Sequence, residues 1–212
     1  MSDKEKVASR YDKWTYFYDL IDDFPLISRP QKIWRQKAVE ALKIEEKDLI
    51  LDIGTASGKM LPMITSQFDE GKVIGTDISR KMLLRAEKLI EKNDLEDKVE
   101  IKFDDIEKSS FPDDHFDKII STFTFTTLPN PKKSALECSR ILKDGGKMIV
   151  LDTGWPEKIY SKILFVPIMI SAKVFGRTHM DRDIIAILKN NFKIRKISTH
   201  MSGMVYIIEC IK

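Results

Sequence analysis

A short run of small residues after an apolar segment has the composition of a ligand-binding turn. The run is Asp52-Ile53-Gly54-Thr55-Ala56-Ser57-Gly58, and apolar residues 49–51 come directly before it. In an open α/β sheet, the turn between the first strand and its helix usually carries the binding loop. A nicotinamide fingerprint would need glycines at 54, 56 and 59, but Ala56 and Lys59 occupy two of these positions. An acidic residue two positions before the first glycine instead suits a ligand with a cationic amino-acid end.

The pattern Asp52-x-Gly54-x-Ala56-x-Gly58 resembles the first motif, D-x-G-x-G-x-G, of class I S-adenosylmethionine-dependent methyltransferases. Ala56 departs from the motif, and its methyl group narrows the space beside the methionine part of the cofactor. The resemblance implies S-adenosylmethionine as cofactor and S-adenosylhomocysteine as product. Taken alone, the loop could also be a tight turn that closes a strand-helix unit and binds nothing.

Later segments resemble the same family in the same order. Asp77 lies 23 residues after Gly54 at the end of a predicted strand, and the resemblance implies that its carboxylate accepts both ribose hydroxyls. Residues 104–117 resemble the family segment G-D-A…F-P-D-x-x-F-D after its opening glycine. This match implies that Asp105 accepts from the adenine amino group and that Ile106 packs on the ring. Taken singly, Asp77 could be an acid at a helix N-terminus, and residues 104–117 could form an acidic surface turn.

The fourth strand and the turn before the fifth also resemble the family. Residues 120–131 resemble the fourth strand with the start of its helix, and residues 140–146 resemble the turn R-x-L-K-P-G-G, with Asp144 in place of proline. The matches together cover residues 51–152, about half of the chain.

The first residues of the chain resemble a narrower subgroup. Residues 8–19 (ASRYDKWTYFYD), with Trp34 and Arg35, are similar to the opening of ubiquinone/menaquinone-biosynthesis and phospholipid N-methyltransferases. In that subgroup the opening closes over the cofactor, which implies Tyr11 and Tyr18 beside the sulfonium; ordinary helix packing is the alternative. The complete set of expected cofactor-binding residues is Tyr11, Tyr18, Asp52, Gly54, Thr55, Gly58, Asp77, Ile78, Met82, Asp105, Ile106 and Ser121.

Few groups for acid-base chemistry stand out. The sequence has no Ser/His/Asp set and no His/Cys cluster of the metal-binding kind, which counts against a hydrolase or a metal site. Methyl transfer from a sulfonium needs mainly alignment and exclusion of water, but a carbon acceptor also requires a general base. His179 is the candidate base, ahead of His115 and His200, and a surface or capping histidine is the alternative for each.

Strands alternating with helices must position these residues. Periodicity predicts strands at 48–53, 72–77, 98–103, 117–122, 146–152, 192–197 and 204–211. It predicts helices over 30–42, from the turn to about 68, after Ser79, from Pro131 to before Gly145, and from Thr178. The fold class is therefore α/β: a Rossmann-like, doubly wound, mostly parallel seven-stranded sheet with a C-terminal antiparallel hairpin and helices on both faces.

Residues 1–212 are expected to form a single class I methyltransferase domain, with an N-terminal helical cap at 1–45 and a substrate-lid insertion at 155–190. Residues 155–200 hold nine Lys/Arg against three Asp/Glu and contain the apolar run 163–170. Such a segment suits a small-molecule or lipid-like acceptor and peripheral contact with an anionic membrane. A helix packed on the sheet with solvated basic flanks is the alternative.

The overall composition excludes several classes of protein. The formal net charge is only +3, which is too balanced for a dedicated nucleic-acid binder. Cys138 and Cys210 are isolated, and the charged N-terminus lacks the apolar core of a signal peptide, so a cytoplasmic location is expected. Two functions remain as alternatives to methyl transfer: a non-catalytic S-adenosylmethionine-binding protein and, less favoured, a nicotinamide-dependent oxidoreductase. The oligomeric state stays open.

Overall fold

The computed structural model describes residues 25–156 and 178–212. Tyr11, Tyr18, most of the predicted N-terminal cap and the apolar run 163–170 lie outside the described residues. Seven strands form one sheet: β1 (Leu49–Ile53), β2 (Lys72–Asp77), β3 (Val99–Phe103), β4 (Phe116–Thr122), β5 (Leu142–Thr153), β6 (Lys193–His200) and β7 (Val205–Ile211).

The strand order is β3-β2-β1-β4-β5-β7-β6. Strands β1 to β5 pair in parallel, whereas β7 pairs antiparallel with both β5 and β6. The predicted fold class is confirmed, including the antiparallel hairpin at one edge of the sheet. The chain order reverses between β1 and β4, so a crevice opens at the carboxyl ends of these strands, the usual ligand position in such sheets.

Five α-helices accompany the described strands: α1 (Pro25–Leu42), α2 (Leu61–Thr65), α3 (Arg80–Lys92), α4 (Pro131–Ile141) and α5 (Ile184–Lys189). A 3-10 turn follows β3 at Ile106–Lys108. The sequence correctly predicts where α3 and α4 begin. Ser79 accepts from the Met82 amide, and Asn130 accepts from the Lys133 amide, as N-cap residues do.

Three helix boundaries predicted from the sequence are wrong. The described part of α1 begins at Pro25 and not at Pro30, so Pro30 lies inside the helix, where it removes one backbone hydrogen bond. α2 is a short helix that ends at Thr65 instead of reaching residue 68. α5 begins at Ile184 because Asp183, not a residue near Thr178, accepts from the Ala186 amide and caps the helix.

The core lies on both faces of the sheet, as side chains that alternate along the strands show. On β5, Met148 and Val150 pack in one cluster with α4 and α5, while Ile149 and Leu151 pack in the other with α1 and α2. This period of two is what a sheet covered on both faces requires. Among the described helices, none has the length and apolar character needed to cross a membrane.

Candidate functional site

The turn after β1 holds three residues in the left-handed backbone region. Gly54, Ala56 and Gly58 have φ angles of +67°, +49° and +81°. A Cβ atom on Gly54 would lie 2.5 Å from the Thr124 Oγ1 atom, so this position excludes every side chain. The loop after β4, which carries Thr124, therefore approaches the first loop closely.

Asp77 fixes the shape of this turn from the end of β2. Its Oδ2 atom accepts from the Ala56 amide at 3.1 Å, and its Oδ1 atom accepts from the Ser79 amide at 2.8 Å. The bond to Ala56 helps to hold a residue with a side chain in the left-handed region, which costs about 1 kcal/mol without such support. The backbone thus accommodates Ala56 at a position where the family motif has glycine.

An open cleft of about 730 Å³ lies where the carboxyl ends of β1, β2 and β4 meet. The cleft brings together five of the expected cofactor-binding residues: Gly54, Asp77, Ile78, Asp105 and Ile106. The cleft also has lining residues that sequence reasoning did not assign to the site, chiefly Phe123, Thr124, Leu128 and Pro129.

The 3-10 turn after β3 shapes one side of the cleft. Asp105 caps this turn by accepting from the Glu107 amide at 3.0 Å, and Ile106 is buried to 6% exposure. Asp104, the preceding residue, accepts from the Ser110 amide. An acid and a branched apolar side chain therefore stand side by side on the wall of the cleft, as the family resemblance implied.

A smaller pocket of about 290 Å³ adjoins the cleft and shares Gly54, Ala56 and Thr122 with it. Arg35 from α1 and Lys59 from the first loop contribute positive charge to its lining, and Thr55 contributes a buried hydroxyl. Of these, only Thr55 was among the expected cofactor-binding residues. Arg35 belongs to the residues that resemble the opening of the subgroup, but it was not among the expected cofactor-binding residues; the packing of α1 places it here.

Asp52 directly precedes Ile53 and Gly54 of the cleft lining but lines neither pocket itself. The residue is completely buried, and neither carboxylate oxygen accepts a hydrogen bond of normal geometry from any described residue. Burial raises the pKa of Asp52 from its ordinary value of 3.8 to about 6; Thr55 opposes this shift, Asp77 adds to it, and Arg35 opposes it weakly. Gly58, Met82 and Ser121, also expected at the site, are likewise buried and are not part of either pocket wall.

The three histidines lie in different parts of the molecule. The His179 backbone amide donates to the Thr126 carbonyl at 2.8 Å, which places this half-buried residue beside the loop after β4, near the cleft. His115 precedes β4 at the opposite edge of the sheet and stacks on Phe111. His200 ends β6, the outermost strand. Only His179 is therefore placed by a described contact against the loop that lines the cleft.

No group of three or more His, Cys, Asp or Glu residues that could hold a metal ion occurs in residues 25–156 and 178–212. Both cysteines are buried and unbridged, and burial raises the pKa of Cys210 to about 12. Neither thiol is therefore activated as a nucleophile.

Comparison with known proteins identifies the central part of the chain. Residues 51–150 match the family described as "Methyltransferase domain". These residues belong to that family. The match begins in β1 and ends in β5, so it contains every described wall of the cleft and leaves out only the residue of α1 that lines the smaller pocket.

Relatives of the methyltransferase domain are similar over a larger part of the chain. A demethylmenaquinone methyltransferase from Bacteroides fragilis is 28% identical over 161 residues, covering 76% of this chain and 65% of that protein. A phosphatidylethanolamine N-methyltransferase from Cereibacter sphaeroides is 29% identical over 103 residues, 49% of each chain. The chain thus spans less than two thirds of the length of either relative.

The fold is that of known Rossmann-like methyltransferases. The crystal structure of a SAM-dependent methyltransferase from Aquifex aeolicus superposes with a TM-score of 0.65, covering 84% of this chain and 88% of that one at 21% identity. At this identity the likeness concerns the fold, and the function must be argued from the site.

Proposed function

We propose that the protein is an S-adenosylmethionine-dependent methyltransferase that acts on a small, apolar, lipid-like acceptor. The observation that carries the proposal is the convergence of Gly54, Asp77, Asp105 and Ile106 on one cleft at the point where strand order reverses. Each residue type matches one part of the cofactor, and each comes from the end of a strand or from the turn after it.

The residues fit this cofactor by their chemistry. Asp77 would accept the two ribose hydroxyls, and Asp105 would accept from the adenine amino group. Ile106 and Leu128, both on the cleft wall, would enclose the adenine ring. Gly54 leaves open the space that a side chain would fill, so the backbone can approach the ligand closely.

The smaller pocket fits the amino-acid end of the same cofactor. Arg35 and Lys59 offer positive charge for a carboxylate. The buried Asp52 carboxylate, which accepts no hydrogen bond of normal geometry from the described residues, offers negative charge for an ammonium group. A zwitterionic ligand would therefore find both of its charges matched, whereas a pyrophosphate would meet Asp52 and Asp77 with repulsion.

The bound cofactor supplies a methyl group on a positively charged sulfur. The protein then has to align the acceptor, exclude water and, for a carbon acceptor, remove a proton. Phe123 and Thr124 on the cleft wall would exclude water from the reacting end. His179, beside the same loop, is the residue we propose as the base for a carbon acceptor.

Two observations support an apolar acceptor. The relatives named above act, by their names, on demethylmenaquinone and on phosphatidylethanolamine, both of which carry long apolar chains. Residues 155–200 combine the apolar run 163–170 with nine basic residues against three acidic ones. Apolar and basic residues in one segment suit an acceptor that resides at an anionic membrane surface.

The test is transfer of labelled methyl from S-adenosylmethionine into a host-cell extract, followed by partition between organic solvent and water. We expect label in the organic phase with the wild type and with Asp97→Asn, an exposed acid outside the cleft, but not with Asp77→Asn. Label only in the aqueous phase would contradict the lipid-like acceptor. Binding of S-adenosylmethionine with no label in either phase would favour a non-catalytic binding protein.

A further inference from the structure

The loop at residues 123–130, between β4 and α4, lines the cleft on one side and makes hydrogen bonds on the other. Phe123, Thr124, Leu128 and Pro129 face the cleft as part of its lining. The buried residue Thr126 bonds away from the cleft, to the end of β5 and to the described segment 178–183. One short loop thus contacts both the cofactor cleft and the segment that carries His179.

Asp152 anchors the middle of this loop to the sheet. Its Oδ1 atom accepts from the Thr126 hydroxyl at 2.6 Å and from the Thr153 amide at 2.8 Å, and its Oδ2 atom accepts from the Thr126 amide at 3.1 Å. Asp152 is completely buried and lines neither pocket. A buried carboxylate held by three donors fixes the loop in one position far better than an exposed one would.

The segment 178–183 is attached to the opposite side of the same loop. The His179 amide donates to the Thr126 carbonyl at 2.8 Å, and the Arg182 guanidinium donates to the Leu128 carbonyl. The Arg182 amide also donates to the His179 carbonyl at 3.1 Å, which ties the two residues into one turn. Both anchor points on the loop are therefore carbonyls within three residues of each other.

Hydrogen bonds restrain the loop along its length, so that its two sides move together. The amides of Thr127 and Leu128 both donate to the Thr124 carbonyl, at 2.9 and 3.2 Å, so this stretch forms a closed turn. At its far end the Asn130 amide donates to Glu107 at 2.7 Å, next to Ile106 on the facing wall of the cleft. A ligand packed between Ile106 and Leu128 would fix the turn as a unit.

We propose that Asp152 and Arg182 are positioning residues that hold the segment 178–183 against the cleft-lining loop 123–130. A ligand in the cleft would then fix the position of His179. The inference deepens the proposed function and rests on it. Coupling of this kind is reciprocal and typically changes affinity by about 5-fold to 150-fold. Cofactor binding should therefore slow amide exchange in residues 179–182, and Arg182 should be needed for that effect.

The test measures amide hydrogen exchange with and without saturating S-adenosylhomocysteine, alongside a calorimetric titration of the same ligand. In the wild type we expect exchange at residues 179–182 to slow at least about fivefold on binding. In Arg182→Met the slowing at 179–182 should be lost, and, because the coupling is reciprocal, the dissociation constant should rise by no more than the factor by which binding slows exchange in the wild type. Arg182→Lys, which keeps a donor for the Leu128 carbonyl, should restore the slowing, and Arg195→Met on the outer strand should behave as wild type.

With the organic-phase acceptor of the methyl-transfer assay, Arg182→Met should raise the KM for the acceptor or lower kcat, measured at saturating cofactor. Substitution of a residue with only a structural role would not change how strongly ligand binding slows amide exchange. Binding of S-adenosylhomocysteine to the wild type without slowing at 179–182 would overturn this inference and leave the proposed function standing. Absence of binding would overturn both. Slowing that persists in Arg182→Met would overturn the role of Arg182.

Discussion

The amino and carboxyl ends of the parallel strands differ in how their polar groups are satisfied. We call these two sides of the sheet the amino edge and the carboxyl edge. At the amino edge, Asp117 accepts from the Leu49 amide at 3.0 Å and from Lys143 at 2.7 Å, and Lys147 donates to the Ala41 carbonyl at 3.0 Å. At the carboxyl edge, the carboxylate oxygens of Asp52 and the hydroxyls of Thr55, Ser121 and Tyr206 are buried without a hydrogen-bond partner among the described residues.

Asp117 at the amino edge and the two buried aspartates at the carboxyl edge have pKa values shifted in opposite directions, although burial also raises the pKa of Asp48 at the amino edge. Burial tends to raise the pKa of Asp117, but the Lys143 and Leu49 bonds with the charge of Lys143 outweigh it, so the pKa lies below its ordinary value. At the other edge, burial raises the pKa of both Asp52 and Asp152 to about 6. The polar groups named at the amino edge are thus paired, whereas the carboxyl edge combines Asp52, which accepts no hydrogen bond of normal geometry, with Asp152, which is held by three donors.

The largest expected effect is on ligand binding at the carboxyl edge. Asp77→Asn should weaken S-adenosylhomocysteine binding by about 30-fold or more, because two charge-assisted hydrogen bonds to the ribose lose their charge. Calorimetry measures the change, with Asp97→Asn as a control of equal charge. A dissociation constant within about threefold of the wild type would remove Asp77 from the site.

Glycines at the two edges provide a matched pair for stability. Gly54→Ala should lower the free energy of unfolding by about 2–3 kcal/mol, because it combines left-handed strain with a clash against Thr124. Gly145 has a φ of +73° and open space within 4 Å of where a Cβ atom would stand, so Gly145→Ala should cost only about 1 kcal/mol. Chemical denaturation tests the difference, and equal losses would mean that the loops do not approach as closely as described.

The contributions of Asp52 and Asp117 to stability should depend on pH with opposite signs. The folded-state pKa of Asp52, about 6, exceeds its ordinary value of 3.8, so its contribution to stability is complete below 3.8 and is lost as the pH rises through 6. Relative to Asp52→Asn, the wild type should lose about 2 kcal/mol of unfolding free energy between about pH 4.5 and pH 7.5. A constant difference between the two proteins across that range would contradict a raised pKa.

The smallest effect is expected for Asp117→Asn at the amino edge. Its lowered pKa means that the wild-type carboxylate stabilises the fold above its ordinary pKa and that this stabilisation is lost as the pH falls. The variant should therefore lose about 1 kcal/mol at neutral pH, through the weakened bond to Lys143, with no change in S-adenosylhomocysteine affinity. A change in affinity would show that the two edges are not independent.

The sequence predicts the parts of the site that lie at strand ends. Asp77 and Asp105 follow strands whose alternation is visible in the sequence, and a parallel sheet brings such ends together without further information. Arg35 carries no such signal, since α1 reaches the first loop only through packing on the sheet. Lys59 directly follows the predicted loop in the sequence, but the motif gives it no role. Leu128 is visible as part of a family segment, but its place on the cleft wall depends on how the loop turns back over β4.

Helix boundaries are predictable where a single cap decides them and are missed where caps compete. Ser79 has one acceptor hydroxyl directly before an apolar face, so α3 starts where the sequence indicates. Before α5, Asp181 and Asp183 are both acceptable caps in the sequence, and in the structure Asp183 accepts from the Ala186 amide and starts the helix.

The measurement that tests the central claim most directly is a calorimetric titration of the wild-type protein with S-adenosylhomocysteine, run in parallel with NADH. We predict saturable binding of S-adenosylhomocysteine with a dissociation constant on the order of micromolar, about −8 kcal/mol, and no heat of binding with NADH. Saturable binding of NADH without any of S-adenosylhomocysteine would contradict the assignment of the cleft.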